Sequence, residues 1–320
     1  MRADIVAVVS LVTFTGCAAH KVAHIATPAD VDLAELWTEP RDLASRDLFH
    51  GAGGRRLAPD PSARFELVKV DDSGFSPGYQ VRDPRGVLWN VKLGVEAQSE
   101  VVASRVLWAL GYHQPPTYLV EKWTLTGEKG GPQPFARFRR ESPDHTVVSD
   151  WSWYENPFSG TAAFKRLLVA NLILNNWDLK TSNNKIYDIR DRDGSRRRVY
   201  VVRDLGASLG KTTFPTFLAW TPLKGMPQGS RNDLEDFEEQ GFIRGVDGDN
   251  VKFDYRGTNL RLVKTVTVDD VVQACRSMAR ISETQWRDTF RAGGYSETEQ
   301  QRYISKMKEK IQEGLALAGS

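Results

Sequence analysis

The residues of this 320-residue chain whose types and spacing could do chemistry fall in two short stretches. The first is Asn175-Asn176-Trp177-Asp178-Leu179-Lys180-Thr181-Ser182-Asn183-Asn184, and the second is Val202-Arg203-Asp204-Leu205-Gly206. Asp178 is followed by a lysine two positions on and an asparagine five on, and Asp204 stands just before a glycine turn. These are the parts a phosphoryl-transfer site needs. One carboxylate meets the incoming hydroxyl, a lysine offsets charge on the moving phosphate, and an asparagine and the second carboxylate hold Mg²⁺.

Such a set works only if rigid elements deliver it. Residues 162–174 carry Phe164, Leu167, Leu168, Val169, Leu172, Ile173 and Leu174, apolar on most faces of a helix, which predicts a buried core helix leading straight into Asn175. Ile186-Tyr187 and Val199-Tyr200-Val201-Val202 predict two strands around an Asp193-Gly194 turn, so that Asp178 and Asp204 flank one hairpin and can converge on a metal. Two aspartates that merely cap turns at strand ends would look the same at this level.

Upstream, Phe65–Val70 alternates apolar and polar residues as a half-buried strand does, Asp71–Gly78 is a turn or flexible loop, and Val87–Leu93 is a further strand that carries Lys92. Residues 97–110 predict a helix closed by Gly111, with Glu100 in its first turn. Residues 117–123 and 134–140 complete a small sheet, and the aromatic-rich connection 141–160 leads to the second half. Beyond a loop-rich stretch from Lys211 to Thr267, with a short acidic helix near 233–240, three helices close the chain at 269–281, 283–292 and 297–317. Ser282-x-x-Gln285 and Ser296-x-x-Glu299 read as capping boxes for the last two.

Asp178-Leu179-Lys180-x-x-Asn183 resembles the catalytic loop of protein kinases, and Asp204-Leu205-Gly206 resembles their metal-binding Asp-Phe-Gly. The His-Arg that usually precedes the catalytic aspartate is replaced by Asn176-Trp177. An asparagine two before the aspartate is the pattern of atypical kinases, among them the HipA-like toxins and the phosphatidylinositol-kinase relatives. The run from Ser99 through Gly111-Tyr112 to Pro115-Pro116 is similar to the corresponding helix and exit of HipA-like kinases. The resemblance implies an α+β, two-lobed protein-kinase-like fold with a small sheet-rich N-lobe over residues 61–140 and a hinge and mainly helical C-lobe over 141–320. It also implies ATP and Mg²⁺ as cofactors. Lys92 would contact the α/β-phosphates, and Glu100, preferred to Glu96 because Glu96 lies too near the strand end, would hold Lys92. Asp178 would orient the acceptor hydroxyl, Lys180 would neutralise developing charge, and Asn183 and Asp204 would bind metal, with Asn184 as a substitute for Asn183.

The N-terminus carries a separate message. Ile5–Phe14 is an apolar run too short to span a bilayer, followed by Thr15-Gly16-Cys17, which resembles a bacterial lipoprotein signal ending at a lipidated cysteine. Residues 1–17 would then be the signal and 18–60 a tether or loosely packed lead-in, placing the domain in the cell envelope on the outer membrane, or in the cytoplasm if the signal is false. With Cys17 acylated, Cys275 stands alone and no internal disulfide forms. Five scattered histidines argue against a zinc site. A net charge of +2 gives no electrostatic case for nucleic acid, so the expected partners are a membrane and a protein, lipid or small-molecule substrate.

Two rival motifs overlap the second stretch. Gly206-Ala207-Ser208-Leu209-Gly210 matches a nucleophile elbow, but every histidine precedes Ser208, against the triad order of that fold. Leu205 to Thr212 approaches a P-loop but has Leu205 where the first glycine belongs, and Pro215 opposes the helix that must follow. A lipoprotein signal also sends the domain where ATP is scarce. The reading that competes with a kinase is therefore a membrane-anchored pseudokinase, a nucleotide- or protein-binding module without catalysis.

Overall fold

The computed structural model describes residues 31–71, 75–128, 130–212 and 229–319. The expected signal and lipidated Cys17 lie outside the described residues, as does the expected tether up to residue 30. The chain forms an α+β, two-lobed fold with a sheet-rich first lobe and a mainly helical second one.

Seven strands build the first lobe: β1 (Arg64–Asp71), β2 (Gly78–Arg82), β3 (Leu88–Leu93), β4 (Thr117–Val120), β5 (Trp123–Thr126), β6 (Gly131–Gln133) and β7 (Ala136–Arg140). They lie in the order β4-β7-β3-β2-β1-β5-β6, antiparallel except where β1 meets β5. Alternation along each strand divides the sheet into two faces. Phe65, Val81, Trp89, Val91 and Phe138 join Tyr118, Trp123 and Leu125 in a compact aromatic core. The opposite positions on β3 and β7 pair Lys92 with Arg137 and Asn90 with Arg139. The polar face of the sheet is the roof of the cleft.

Helix α1 (Glu96–Ala109) runs between the lobes. Its Val102, Val106 and Leu107 belong to the core of the second lobe, while Ser99, Glu100 and Arg105 are buried polar residues. A helix enclosed on nearly every side fixes whatever its first turns present to the sheet.

The second lobe is organised on α2 (Ala162–Ile173), α5 (Val268–Ala279), α6 (Glu283–Ala292) and α7 (Glu297–Ala316), with short helices α3 (Leu234–Glu239) and α4 (Leu260–Val263). Both predicted capping boxes form, and Thr267 with Asp270 makes a third on α5. The predicted hairpin is β9 (Asn184–Arg190) with β10 (Arg196–Val202). An unpredicted strand, β8 (His145–Asp150), extends it, because a nearly all-exposed strand has no apolar period to betray it. Trp151, Trp153 and Phe158 pack on Tyr200 and Phe164 inside this lobe. The hairpin β11 (Ile243–Asp247) and β12 (Asn250–Phe253) replaces part of the expected loop.

Residues 31–60 are not a loose lead-in. Leu36, Leu43 and Leu48 are fully buried in the main core. Trp37 bridges to Tyr112 and donates its Nε1–H to Leu110 O at 2.7 Å, and Gln285 Nε2 donates to Leu43 O at 2.6 Å. Gly51, at φ 69°, lies so close to Arg105 that an added Cβ would stand 2.3 Å from its guanidinium. These anchors are irregularly spaced single-turn contacts, so no periodicity revealed them.

Candidate active site

Helix α2 ends at Ile173 with Leu174 as its C-cap, and Asn175 turns the chain with a left-handed φ of 54°, a conformation asparagine tolerates better than most residues. Its Nδ2 donates to Gly210 O at 2.7 Å, and its Oδ1 accepts from Lys310 Nζ at 2.7 Å. Asn176 is likewise buried, donating to Asn171 Oδ1 at 2.8 Å while its own Oδ1 accepts from the Asp178 N–H at 3.3 Å. Here is the structural use of the asparagine found where kinases carry His-Arg: its side chain holds the backbone of Asp178.

Asn183 joins the two stretches. Its Nδ2 donates to Asp178 O at 2.8 Å and Asp178 Oδ2 at 3.2 Å, while its backbone carbonyl accepts from the N–H of Asp204 at 3.2 Å. The two carboxylates that flank the hairpin thus reach the same site through one residue. Lys180 Nζ sits 2.8 Å from Asp178 Oδ1. Asn184 faces away and is fully buried, donating to Trp151 O at 3.1 Å, so it does not substitute for Asn183.

From the roof, Lys92 Nζ approaches Asp204 Oδ1 at 2.8 Å, Glu100 Oε2 at 3.2 Å and Glu96 Oε2 at 3.4 Å. Glu100 does pair with Lys92, as expected, but Glu96 does so too. Helix α1 starts at Glu96, one residue before the predicted start, so the first and fifth residues share one face and both reach the lysine. Glu96 also accepts from Ser76 Oγ at 2.8 Å and pairs with Arg231. Glu100 is enclosed, with Arg137 Nε at 3.0 Å and Arg139 Nη1 at 3.1 Å. Gly206 brings the second stretch against this helix: an added Cβ would stand 2.6 Å from Glu96 Cβ, and Gly206 O accepts from Ser99 Oγ at 2.8 Å.

These neighbours set the charges. Burial works against ionisation of Asp204, but Lys92, Arg139 and Arg137 outweigh it and hold the carboxyl well below its ordinary value. Burial likewise opposes the charge on Glu100, and Arg137, Lys92 and Arg139 overcome it, keeping that carboxyl below its ordinary range. Lys92 is pushed above its ordinary value because Glu100 and Asp204 more than offset desolvation. Burial first, then Arg137 and Arg203, lower Arg139 to about 9, which still leaves a cation at neutral pH.

Lys92, Glu96, Asp178, Lys180, Asn183 and Asp204 line one cleft of about 610 Å³, with Glu100 directly behind Lys92. Among the described residues no group of three or more His, Cys, Asp or Glu side chains could hold a metal unaided. Mg²⁺ takes one or two carboxylates and completes its shell with water and substrate phosphates. Asp204 offers a carboxylate oxygen to the cleft, and Asn183, anchored through Nδ2, keeps its Oδ1 as a hard oxygen donor. The donor set fits a magnesium–nucleotide.

No protein-family model matches the chain, and no curated protein matches it. Among solved structures the chain is similar to the Helicobacter pylori proinflammatory kinase CtkA, at 14% identity and a TM-score of 0.46, over 81% of this chain and 98% of that one. It is also similar to the Golgi casein kinase, at 7% identity and a TM-score of 0.38, over 89% of this chain and 76% of that one. At such identities and TM-scores the likeness carries no argument about this chain. The reading of the site rests on its own distances.

Sequence reasoning missed Arg137, Arg139 and Arg231. The first two were legible in principle: along Ala136–Arg140 they occupy the face opposite Ala136 and Phe138, a sign that polar groups point inward over a cleft. Arg231 carries no such signal. The rival motifs fail on structure. Ser208 is completely buried and cannot present an elbow nucleophile, and Lys211 leaves the cleft to pair with Glu239 at 2.6 Å. Among the described residues no helix is long and apolar enough to cross a membrane.

Proposed function

We propose that the interlobe cleft binds ATP with Mg²⁺ and that the protein transfers the γ-phosphoryl group to a hydroxyl of an acceptor. The observation that carries this reading is the convergence of Lys92, Asp178, Asn183 and Asp204, from three separate parts of the chain, on one cavity. Lys92, held by Glu100, contacts α/β-phosphate oxygens. Asp178, its backbone fixed by Asn176 and its carboxylate by Asn183, accepts the hydroxyl hydrogen bond of the acceptor and aligns its oxygen. As the new oxygen–phosphorus bond forms, the β–γ bridging bond breaks, the hydroxyl proton passes to Asp178 and on to solvent, and ADP leaves. Lys180 offsets charge on the transferring group. Asn183 and Asp204 would hold Mg²⁺, which neutralises phosphate charge when bound. The acceptor is a protein, lipid or small molecule bearing an alcohol.

One observation favours the second reading, a binding module without catalysis. Both site aspartates already have lysine partners, Asp178 with Lys180 and Asp204 with Lys92. Calorimetry with ATP, with and without Mg²⁺, on wild type and Asp204→Ala tests nucleotide binding, and release or transfer of labelled γ-phosphate separates the two readings. Mg²⁺-dependent binding lost in Asp204→Ala, with turnover lost in Asp178→Asn at unchanged affinity, is expected of the kinase. Binding without any turnover sinks the catalytic reading. We further propose that Cys17 carries the lipid that anchors the domain in the cell envelope. A Cys17→Ala chain that still partitions with membranes and takes up labelled fatty acid rules that out.

A further inference from the structure

The register of the roof divides the cleft into two ends. Gly78, at the end of the loop from β1, lies opposite Lys92, and Gln80 lies opposite Asn90. The loop residues Phe75 and Ser76 therefore cover the end that holds Asp178 and Lys180. The other end, where the part of a donor that is not transferred must lie, belongs to Asn90, Arg139 and Arg203. Arg139 ties these together, donating to Asn90 Oδ1 at 3.1 Å and to Arg203 O at 3.4 Å.

A nucleobase normally needs apolar walls and an edge to pair with. At this end the apolar side chain of Val91 and the backbone N–H groups of the strand exit are engaged elsewhere. Val91 turns its side chain into the core of the sheet lobe. Among the described residues the two aromatic rings of the cleft, Phe75 and Trp177, lie at the Asp178 end instead, where one face of each meets the Arg231 guanidinium, 3.8 and 5.0 Å from the ring centroids. The backbone N–H groups where β7 leaves the sheet are spent, Arg140 donating to Pro116 O and Glu141 to Leu88 O.

Cations remain. Of the six that line the cleft, Lys92, Arg137, Arg139, Lys180 and Arg231 each have a carboxylate partner among the described residues. Arg203 has none there, although it stands next to Asp204 and close enough to Arg139 to depress that group. Two neighbouring guanidiniums, one of them unmatched, suit an anion with several acceptor oxygens.

We infer that the cleft recognises its donor through the phosphate chain alone, with Arg203 as the distal anion contact, and so binds inorganic polyphosphate as well as nucleotides of any base. The inference rests on the phosphotransferase reading and names the ligand class of the same site. A chain of phosphates places its terminal group at Asp178 and its remaining charge under Arg139 and Arg203. Transfer from it balances as it does from ATP: the bridging oxygen–phosphorus bond breaks, and a polyphosphate shorter by one unit leaves.

The test is calorimetric titration of the full chain, in Mg²⁺, with inorganic tripolyphosphate, ATP and GTP, on wild type, Arg203→Ala and Arg203→Lys. The expected result is three affinities within about threefold of one another, all weakened about tenfold by Arg203→Ala, as loss of one charge-assisted contact implies, and partly restored by Arg203→Lys. ATP bound more than tenfold tighter than both tripolyphosphate and GTP overturns the inference and leaves the kinase reading standing. So does tripolyphosphate affinity indifferent to Arg203→Ala. Failure of all three ligands to bind removes both.

Discussion

Lys92 Nζ lies closer to Asp204, at 2.8 Å, than to either glutamate of α1, so an ion pair joins the roof of the cleft to its floor. That pair has a pH signature. The folded-state value of Asp204 is below its unfolded value, so its contribution to stability is complete above about pH 4 and is lost as pH falls from there toward the folded value. Lys92 is shifted upward, so its contribution is complete below about pH 10.4 and is lost as pH rises through the folded value. The Asp204 side chain is 44% exposed to the cleft, and solvent screening makes the effect smaller than for a sealed pair. Melting temperatures of wild type and Asp204→Asn should differ by a constant amount between pH 5 and 8, and the gap should begin to narrow as pH falls below about 4. A gap that does not narrow in acid would mean that the pair does not clasp the lobes in solution.

Glu100 and Glu96 touch the same lysine but should differ in stability. Glu100 is 1% exposed and neutralises Arg137, Arg139 and Lys92 together, so Glu100→Ala strands buried cations and should cost about 3–5 kcal/mol. Glu96, though only 6% exposed, lines the cleft and shares its cations with Asp204 and the cleft water that would fill its place, so Glu96→Ala should cost less than Glu100→Ala. Urea denaturation of both variants decides the matter; equal losses would show that Glu100 is not the hub of the network.

The chemistry was legible where it depended on residue identity at fixed spacing within one segment. Asp178, Lys180 and Asn183 could be read together because one loop carries them, and Asp204 because a hairpin returns it to that loop. The helix supporting them was legible from its unbroken apolar run. What escaped depends on contacts between distant segments. The choice between Glu96 and Glu100 turned on one residue of helix start, a boundary that propensity does not fix. Arg231 reaches Glu96 across 135 positions, and Lys310 reaches Asn175 across the same span. The buried lead-in escaped because isolated leucines in single turns carry no period.

Arg231 should act as a latch between loop and floor. It pairs with Glu96 on α1 and lies over Phe75 from the roof loop and Trp177 from the floor. Each cation–ring contact is worth about 0.5–2 kcal/mol, depending on its desolvation. Arg231→Ala should therefore raise hydrogen exchange severalfold at residues 75–82 while leaving α6 and α7 unchanged. Unaltered exchange across 75–82 would show that Arg231 restrains nothing there.

Lys310 offers a test of how α7 supports the site from behind. It is 1% exposed, donates to Asn175 Oδ1 at 2.7 Å and Ile173 O at 3.4 Å, and lies over the Phe237 ring at 4.3 Å. Burial, reinforced by Lys306 and only partly offset by Glu309, Glu313 and Asp254, lowers it well below the ordinary lysine value. Between that folded value and about 10.4 the unfolded chain binds the extra proton, so in this window wild-type stability rises with pH. Lys310→Met removes the titration while keeping much of the volume, so wild type should gain on the variant as pH goes from 7 to 10, measured by melting temperature. Asn175 would keep its bond to Gly210 but lose its other anchor, at a cost of about 1–3 kcal/mol for the unsatisfied oxygen. Because Asn175 begins the loop that carries Asp178 and grips the loop after Asp204, turnover should fall more than Mg²⁺–nucleotide affinity does. A variant with wild-type turnover and an unchanged pH profile would separate α7 from the chemistry altogether.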